Sequence, residues 1–421
     1  MRPGRRIRAA IFGLFAMLGA GAGGAQLLPR TPVGDVLGSV GRVGVDALDS
    51  ASRAIDTLGA HVRTLADARI GRLRDLVRAH PGALEMTDLG PAVGGEIIAL
   101  DPDPASLAAA RAAGFVIVRE EDIEGLGLRS VTLAPPGGLS LEKALARLRK
   151  LAPEGEFTAN HLYLQSGAAS RAALANVSLA GGGAGQPAIG IIDGGVAAHP
   201  SIGRVEQHGF AAGAPAPSAH ATAIASLAAG EGAVRGAAPG APLLVADVYG
   251  RDPTGGNAMA IARALGMMVE RRVPVVVVSL VGPANPLLGK AVARAQARGA
   301  RIVAAVGNDG PAAPPAFPAS YEGVIAVTGV DRRDRALIEA GRSLHLDFAA
   351  PGADMAAAAL GGGLRAVRGT SYAVPFVAGR LARTSLAALG REAKDLGAKG
   401  PDPVYGRGLV CGACRTLLPK K

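Results

Sequence analysis

From Pro187 onward the chain repeats one pattern: a short, nearly all-apolar run rich in Val and Ile, then a longer run with helical spacing. The strand-like runs are Ala188–Ile192, Leu243–Val248, Val273–Ser279, Arg301–Val306 and Val324–Thr328. The helical runs between them are His220–Ala229, Ala258–Arg271 and Pro286–Arg298, the last opened by Asn285 as cap and Pro286 as first residue. A strand without a polar face has to be covered on both sides. The pattern therefore demands an α/β fold with a doubly wound, mostly parallel sheet. In such sheets ligands and chemistry sit beyond the carboxyl ends of the strands.

Upstream the pattern differs. Glu96–Leu100, Phe115–Arg119, Leu128–Ala134 and Phe157–Leu164 read as strands. A helix capped by Asp103-Pro104 follows the first of them, and the helix Leu141–Leu151 precedes the last. The order β-α-β-β-α-β is the split βαβ, ferredoxin-like arrangement, which carries no function by itself. Residues 36–77 show helical spacing through Ile55, Leu58, Val62 and Leu65, resumed by Ile70, Leu73 and Val77. The Ala/Gly/Ser-rich stretch 167–186 reads as a flexible linker. Residues 1–25 carry Arg2, Arg5, Arg6 and Arg8, an apolar run Ala9–Leu18 and small residues ending at Ala25. That is a signal-peptide layout, with an uncleaved membrane anchor as the alternative. The expected organisation is thus a signal peptide (1–25), a helical region (26–90), a ferredoxin-like domain (91–166), a linker (167–186) and the α/β domain (187–421).

The formal net charge is +11. Its arginines are scattered through helices (Arg263, Arg271, Arg272, Arg294, Arg298) without interleaved aromatics, so nucleic acid is not an expected partner. Cys411 and Cys414 are the only cysteines. In an exported chain they are disulfide candidates, a redox pair or half a zinc site being the alternatives.

Four polar residues fall at element ends. Asp193 ends the run Ile-Gly-Ile-Ile, and His220 opens a helix. Asn308 follows Gly307 just past a strand, and Ser371 lies in Gly369-Thr370-Ser371-Tyr372-Ala373-Val374-Pro375, ahead of an apolar helix expected over Tyr372–Leu389. Each alone has an ordinary reading as a cap or turn residue. Together they fit acyl transfer: a nucleophile (Ser371), a base (His220), a carboxylate that orients the base (Asp193) and an oxyanion donor (Asn308).

These segments resemble the subtilisin-like (subtilase, S8) serine proteases, in which the triad runs Asp, His, Ser along the chain. The resemblance covers essentially Pro187 to Leu417. Arg235-Gly236-Ala237-Ala238-Pro239-Gly240-Ala241 is similar to the family's segment after the His helix. Val278 to Gly282 is similar to its substrate-pairing strand, so the resemblance assigns Ser279, Leu280, Val281, Gly282 and Gly307 to substrate binding. It also implies protein or peptide substrates, an N-terminal pro-domain that folds and restrains the enzyme, and cleavage of the precursor in the linker. It implies no required cofactor. Calcium accompanies many members, and no Asp-rich loop supports it here. The family's usual Gly after the His, and its second His, are here Ala221 and Ala223. A catalytically weakened subtilase fold used for binding is therefore the runner-up. A dinucleotide site lacks its G-x-G-x-x-G, and an α/β-hydrolase lacks its G-x-S-x-G.

Overall fold

The computed structural model describes residues 64–165, 178–180, 186 and 188–417. The expected signal peptide, the helical region up to residue 63 and nearly all of the linker lie outside these residues. What remains is a helix, a small antiparallel domain and a larger α/β domain, in that order.

Residues 64–79 form helix α1. The small domain follows with β1 (Leu84–Thr87), β2 (Gly90–Leu100), α2 (Pro104–Ala112), β3 (Val116–Ile123), β4 (Leu128–Ala134), α3 (Leu141–Leu151) and β5 (Glu156–His161). Its strands run β5-β2-β4-β3, all antiparallel, with β1 added beside β2 as a hairpin. Without β1 this is the split βαβ order expected from the element sequence. The β1–β2 hairpin was not expected, because the apolar–polar alternation of Leu84-Glu85-Met86-Thr87 spans only four residues. Asp103 caps α2 by accepting from Ser106 N–H at 2.8 Å. One sheet face packs on α2 and α3 through Ile97, Val131, Leu133, Leu141 and Leu148. Two-residue periodicity sends Ile98, Leu100 and Leu128 to the other face, where they pack against the α/β domain.

After β6 (Leu164–Gln165) the α/β domain comprises β7 (Ile189–Asp193), β8 (Val205–Gly209), α4 (Ala219–Ala229), β9 (Leu243–Asp247), α5 (Ala258–Glu270), β10 (Val275–Val278) and β11 (Leu280–Val281). It continues with α6 (Pro286–Ala297), β12 (Arg301–Ala305), β13 (Ile325–Val330), β14 (Phe348–Pro351), β15 (Met355–Ala358), β16 (Leu364–Val367), α7 (Val374–Leu381) and α8 (Leu386–Glu392). Seven strands form one sheet, β14-β13-β12-β10-β7-β9-β8, and every pairing in it is parallel. Ile191, Val245, Val277, Val303 and Val327 point to the layer holding α4 and α7. Ile192, Leu244, Val276, Ile302 and Ala326 point to the layer holding α5 and α6. Both faces are covered, as the unbroken apolar runs required.

One expectation is corrected. The helix expected over Tyr372–Leu389 is a 3-10 turn, Thr370–Tyr372, followed by two helices, α7 and α8. Pro375 has no N–H and sits in the first turn of α7, so the regular ladder begins only there. Ser385 starts α8 afresh, its hydroxyl accepting from Ala388 N–H at 3.2 Å. Near the C-terminus Cys411 and Cys414 are joined as a disulfide, with Cα atoms 5.2 Å apart.

Candidate active site

The parallel sheet delivers the candidate residues to one edge. Asp193 is the last residue of β7, so its side chain lies at the carboxyl end of a central strand. His220 is in the first turn of α4, whose start is set by Ser218: its hydroxyl accepts from Ala221 N–H at 3.3 Å. The two side chains meet with His220 Nδ1 2.8 Å from Asp193 Oδ2, and both are fully buried. Asp193 Oδ1 accepts from Gly194 N–H at 2.7 Å. A carboxylate on Nδ1 holds that nitrogen as the N–H and turns Nε2 into the acceptor, the tautomer a general base needs. Ala221 and Ala223 are buried in the apolar core, so the departures from the family pattern are packing changes in the helix that carries His220.

Ser371 sits in the 3-10 turn ahead of α7 and is fully buried. The turn is entered through Gly369 at φ +141°, a backbone conformation that disfavours a side chain. Thr370 ties it to the neighbouring loop, with Thr370 N–H donating to Asn308 Oδ1 at 2.9 Å and Thr370 Oγ1 donating to Gly307 O at 3.1 Å. These bonds fix the Asn308 amide plane beside Ser371. Ser371 Oγ donates to Ser279 O at 3.4 Å, and Ser279 Oγ to Ser371 O at 3.1 Å. His220 Nε2 is buried and finds no hydrogen-bond partner among the described residues. The structure thus forms the base–carboxylate half of the expected relay, while Ser371 Oγ points to the Ser279 carbonyl. Catalytic hydrogen bonds are often long or misaligned until a reacting complex forms.

Of the candidate substrate-binding residues, Val281, Gly282 and Gly307 line a groove of about 620 Å³, bounded also by Val306 and the segment Ala313–Phe317, whereas the Ser279 and Leu280 side chains are buried behind it. Part of this chain already lies in it. Leu164 and Gln165 pair antiparallel with Val281 and Leu280. On the other side Tyr163 N–H donates to Gly256 O at 2.7 Å, and Tyr249 hydroxyl donates to Tyr163 O at 2.8 Å. The small domain's C-terminal strand is thereby held between two segments of the α/β domain. Tyr163 is fully buried, and its hydroxyl donates to Pro283 O at 2.7 Å. Burial pushes its phenol well above the ordinary range. Gly282 makes the space: a Cβ there would meet the Tyr163 ring at 2.6 Å. Gln165 reaches further and donates its amide to Asp193 Oδ1 at 2.8 Å.

Residue-by-residue reading missed Asp247. It ends β9 directly beside Asp193, fully buried, and accepts three backbone N–H bonds from Ala216, Tyr249 and Gly250. Burial raises its carboxyl above the ordinary value against the pull of those donors. It organises the loop that carries Tyr249, and an Asp at a strand end was the signal that could have found it.

Residues 185–390 match the protein-family model described as Subtilase family. The chain is 32% identical over 156 residues to the Major intracellular serine protease of Bacillus subtilis (strain 168), a match spanning 36% of this chain and 49% of that protein. It is 31% identical over 201 residues to Subtilisin BL of Lederbergia lenta, spanning 46% of this chain and 74% of that protein. Among solved structures, fervidolysin from Fervidobacterium pennivorans, a keratinolytic enzyme related to subtilisin, superposes with a TM-score of 0.60 at 18% identity. That superposition covers 80% of this chain and 62% of the other, and it speaks for the fold. With a buried Asp–His pair, a serine at the start of a helix, the family match over residues 185–390 and these relatives, the chain belongs to the subtilase family of serine-type endopeptidases.

Proposed function

We propose that this chain is the precursor of an exported endopeptidase in which Ser371, His220 and Asp193 form the triad and Asn308 supplies the oxyanion donor. The observation that carries it is the buried His220–Asp193 pair at 2.8 Å, with the imidazole ring centroid 5.4 Å from that of Tyr372, the residue after Ser371. Catalysis requires Ser371 Oγ to turn from the Ser279 carbonyl to His220 Nε2. Oγ then attacks the scissile carbonyl carbon as Nε2 takes its proton, and Asp193 stabilises the imidazolium. The Asn308 amide and the Ser371 N–H hold the oxyanion. His220 returns the proton to the leaving amine, and water releases the acyl group by the same path reversed. Ser279, Leu280, Val281, Gly282 and Gly307 bind the substrate backbone and flanking side chains.

The small domain is the pro-domain in this reading, and the linker after Gln165 is where the precursor is cut. The support is that β6 occupies the groove as an added strand, the way an extended peptide binds a sheet edge. The basic, then apolar N-terminus supports export. The test compares the full chain with its Ser371→Ala form after refolding. The expected result is a cut between the two domains in the first and an intact chain in the second, with a fluorophosphonate labelling Ser371 of the first. Failure of Ser371 to label, with no cleavage of any peptide, would favour a binding protein. The observation behind that alternative is the Ser371 Oγ bond to Ser279 O in place of one to His220.

A further inference from the structure

Helix α1 precedes the small domain and has no part in the fold described so far, yet it ends on the groove. Arg69 Nε lies 3.2 Å from Asp309 Oδ2, and Arg72 Nη2 lies 2.5 Å from Asp309 Oδ1. Asp309 directly follows Asn308, and its side chain is 25% exposed. Leu65 packs where a Cβ on Gly310 would stand, 3.1 Å from its Cδ1. Leu76 and Val77 pack on Leu84, Val93 and Leu162, so the same helix is anchored to the residues that lead into β6.

The composition of the groove gives these contacts their meaning. Among its described lining residues, those from the α/β domain are apolar or neutral except for Asp309. Both arginines come from α1, upstream of the region where the precursor would be cut. A partly buried carboxylate that loses two guanidiniums must find water or another cation. In a groove with neutral walls, a substrate side chain that brings its own positive charge recovers that interaction.

We infer that Asp309 is a recognition site for a cationic side chain, arginine or lysine, of the bound peptide, and that α1 fills it in the precursor with Arg69 and Arg72. This rests on the endopeptidase reading and names one element of its substrate preference. Arginine suits the geometry better than lysine, because its planar fork can give a carboxylate two hydrogen bonds. The site lies on a groove wall, so it selects a side chain and leaves the backbone pairing with Leu280 and Val281 unchanged.

Two readouts test it. The first needs no catalysis. In full-length chain carrying Ser371→Ala, amide hydrogen exchange of residues 64–79 is compared with and without Asp309→Asn. Exchange is expected to rise about tenfold on loss of the carboxylate. The charge-swapped chain Arg69→Asp, Arg72→Asp, Asp309→Arg should return it toward the parent value. The second uses processed enzyme and a peptide series in which arginine replaces leucine one position at a time. At one position the Arg-to-Leu ratio of kcat/KM is expected to exceed about ten, falling to about one in Asp309→Asn. A processed enzyme with no arginine preference at any position overturns the inference, as does exchange that ignores Asp309→Asn. Enzyme that cuts no peptide refutes the endopeptidase reading instead, and the exchange data still decide whether Asp309 binds cations.

Discussion

Gln165 donates its side-chain amide to Asp193 Oδ1 at 2.8 Å, on the same carboxylate whose other oxygen lies 2.8 Å from His220 Nδ1. A residue of the strand in the groove is therefore bonded to the group that orients the candidate base. Replacing Gln165 by Leu leaves Oδ1 with the Gly194 N–H and removes one charge-assisted bond from a buried site. In full-length chain carrying Ser371→Ala, urea unfolding should show a loss of about 1–3 kcal/mol.

His220→Ala should lower kcat on a peptide by on the order of 10⁴-fold or more, with KM little changed. Ser371→Ala should fall as far. The double variant should be no worse than either single one, because the residues act as a unit. Additive losses in steady-state assays would show that the two side chains do not share one proton-transfer step.

Gly282→Val puts a branched side chain where even a Cβ meets the Tyr163 ring at 2.6 Å. Tyr163 must then leave its pocket and give up its bond to Pro283 O. The expected result is release of the strand 162–165, read as at least about a tenfold rise in susceptibility of that segment to an added protease. Tyr163→Ala should do the same without touching the α/β domain, at a stability cost of about 3–5 kcal/mol.

Acid should loosen the chain at a defined place. His161 is buried between the small domain and the start of α6, with Thr87 Oγ1 at 3.2 Å and Asn285 Nδ2 at 3.0 Å as neutral partners. Burial lowers its pKa from 6.5 to about 4. Between those values the unfolded chain binds the proton and the folded one does not. Stability is therefore full above about pH 6.5 and declines as pH falls toward 4, by up to about 3 kcal/mol. Urea midpoints at pH 7 and pH 4.5 should differ in the parent and draw together in His161→Gln.

Sequence legibility followed burial. The central strands β7, β10, β12 and β13 announced themselves because both faces are covered and nearly every position is apolar. The edge strand β8, Val-Glu-Gln-His-Gly, is half exposed and carries no such signal. The hairpin β15–β16 is Ala-rich on one side, and alanine does not mark a strand. Asp193 and His220 were legible through their positions at element ends and the family's order, and they meet as expected. Gln165 was not, since a glutamine after an apolar run says nothing until β6 and β11 bring it across the groove. Asp309 was visible as an acidic residue close to the cleft, but Arg69 was silent, the pairing of the two being made by the docking of α1.

The antiparallel ladder between β6 and β11 has a consequence for how such a chain would be switched on. While the two strands belong to one polypeptide, the occupant of the groove is present at an effective concentration set by the linker, in the millimolar range for a short flexible one. Competing peptides at micromolar levels cannot displace it. A single cut downstream of Gln165 changes no contact in the ladder and abolishes the tether. From then on occupancy depends on the total amount of protein, so a dilute sample would shed its blocker and a concentrated one would keep it. Latency in this molecule would be a property of the solution as much as of the chain.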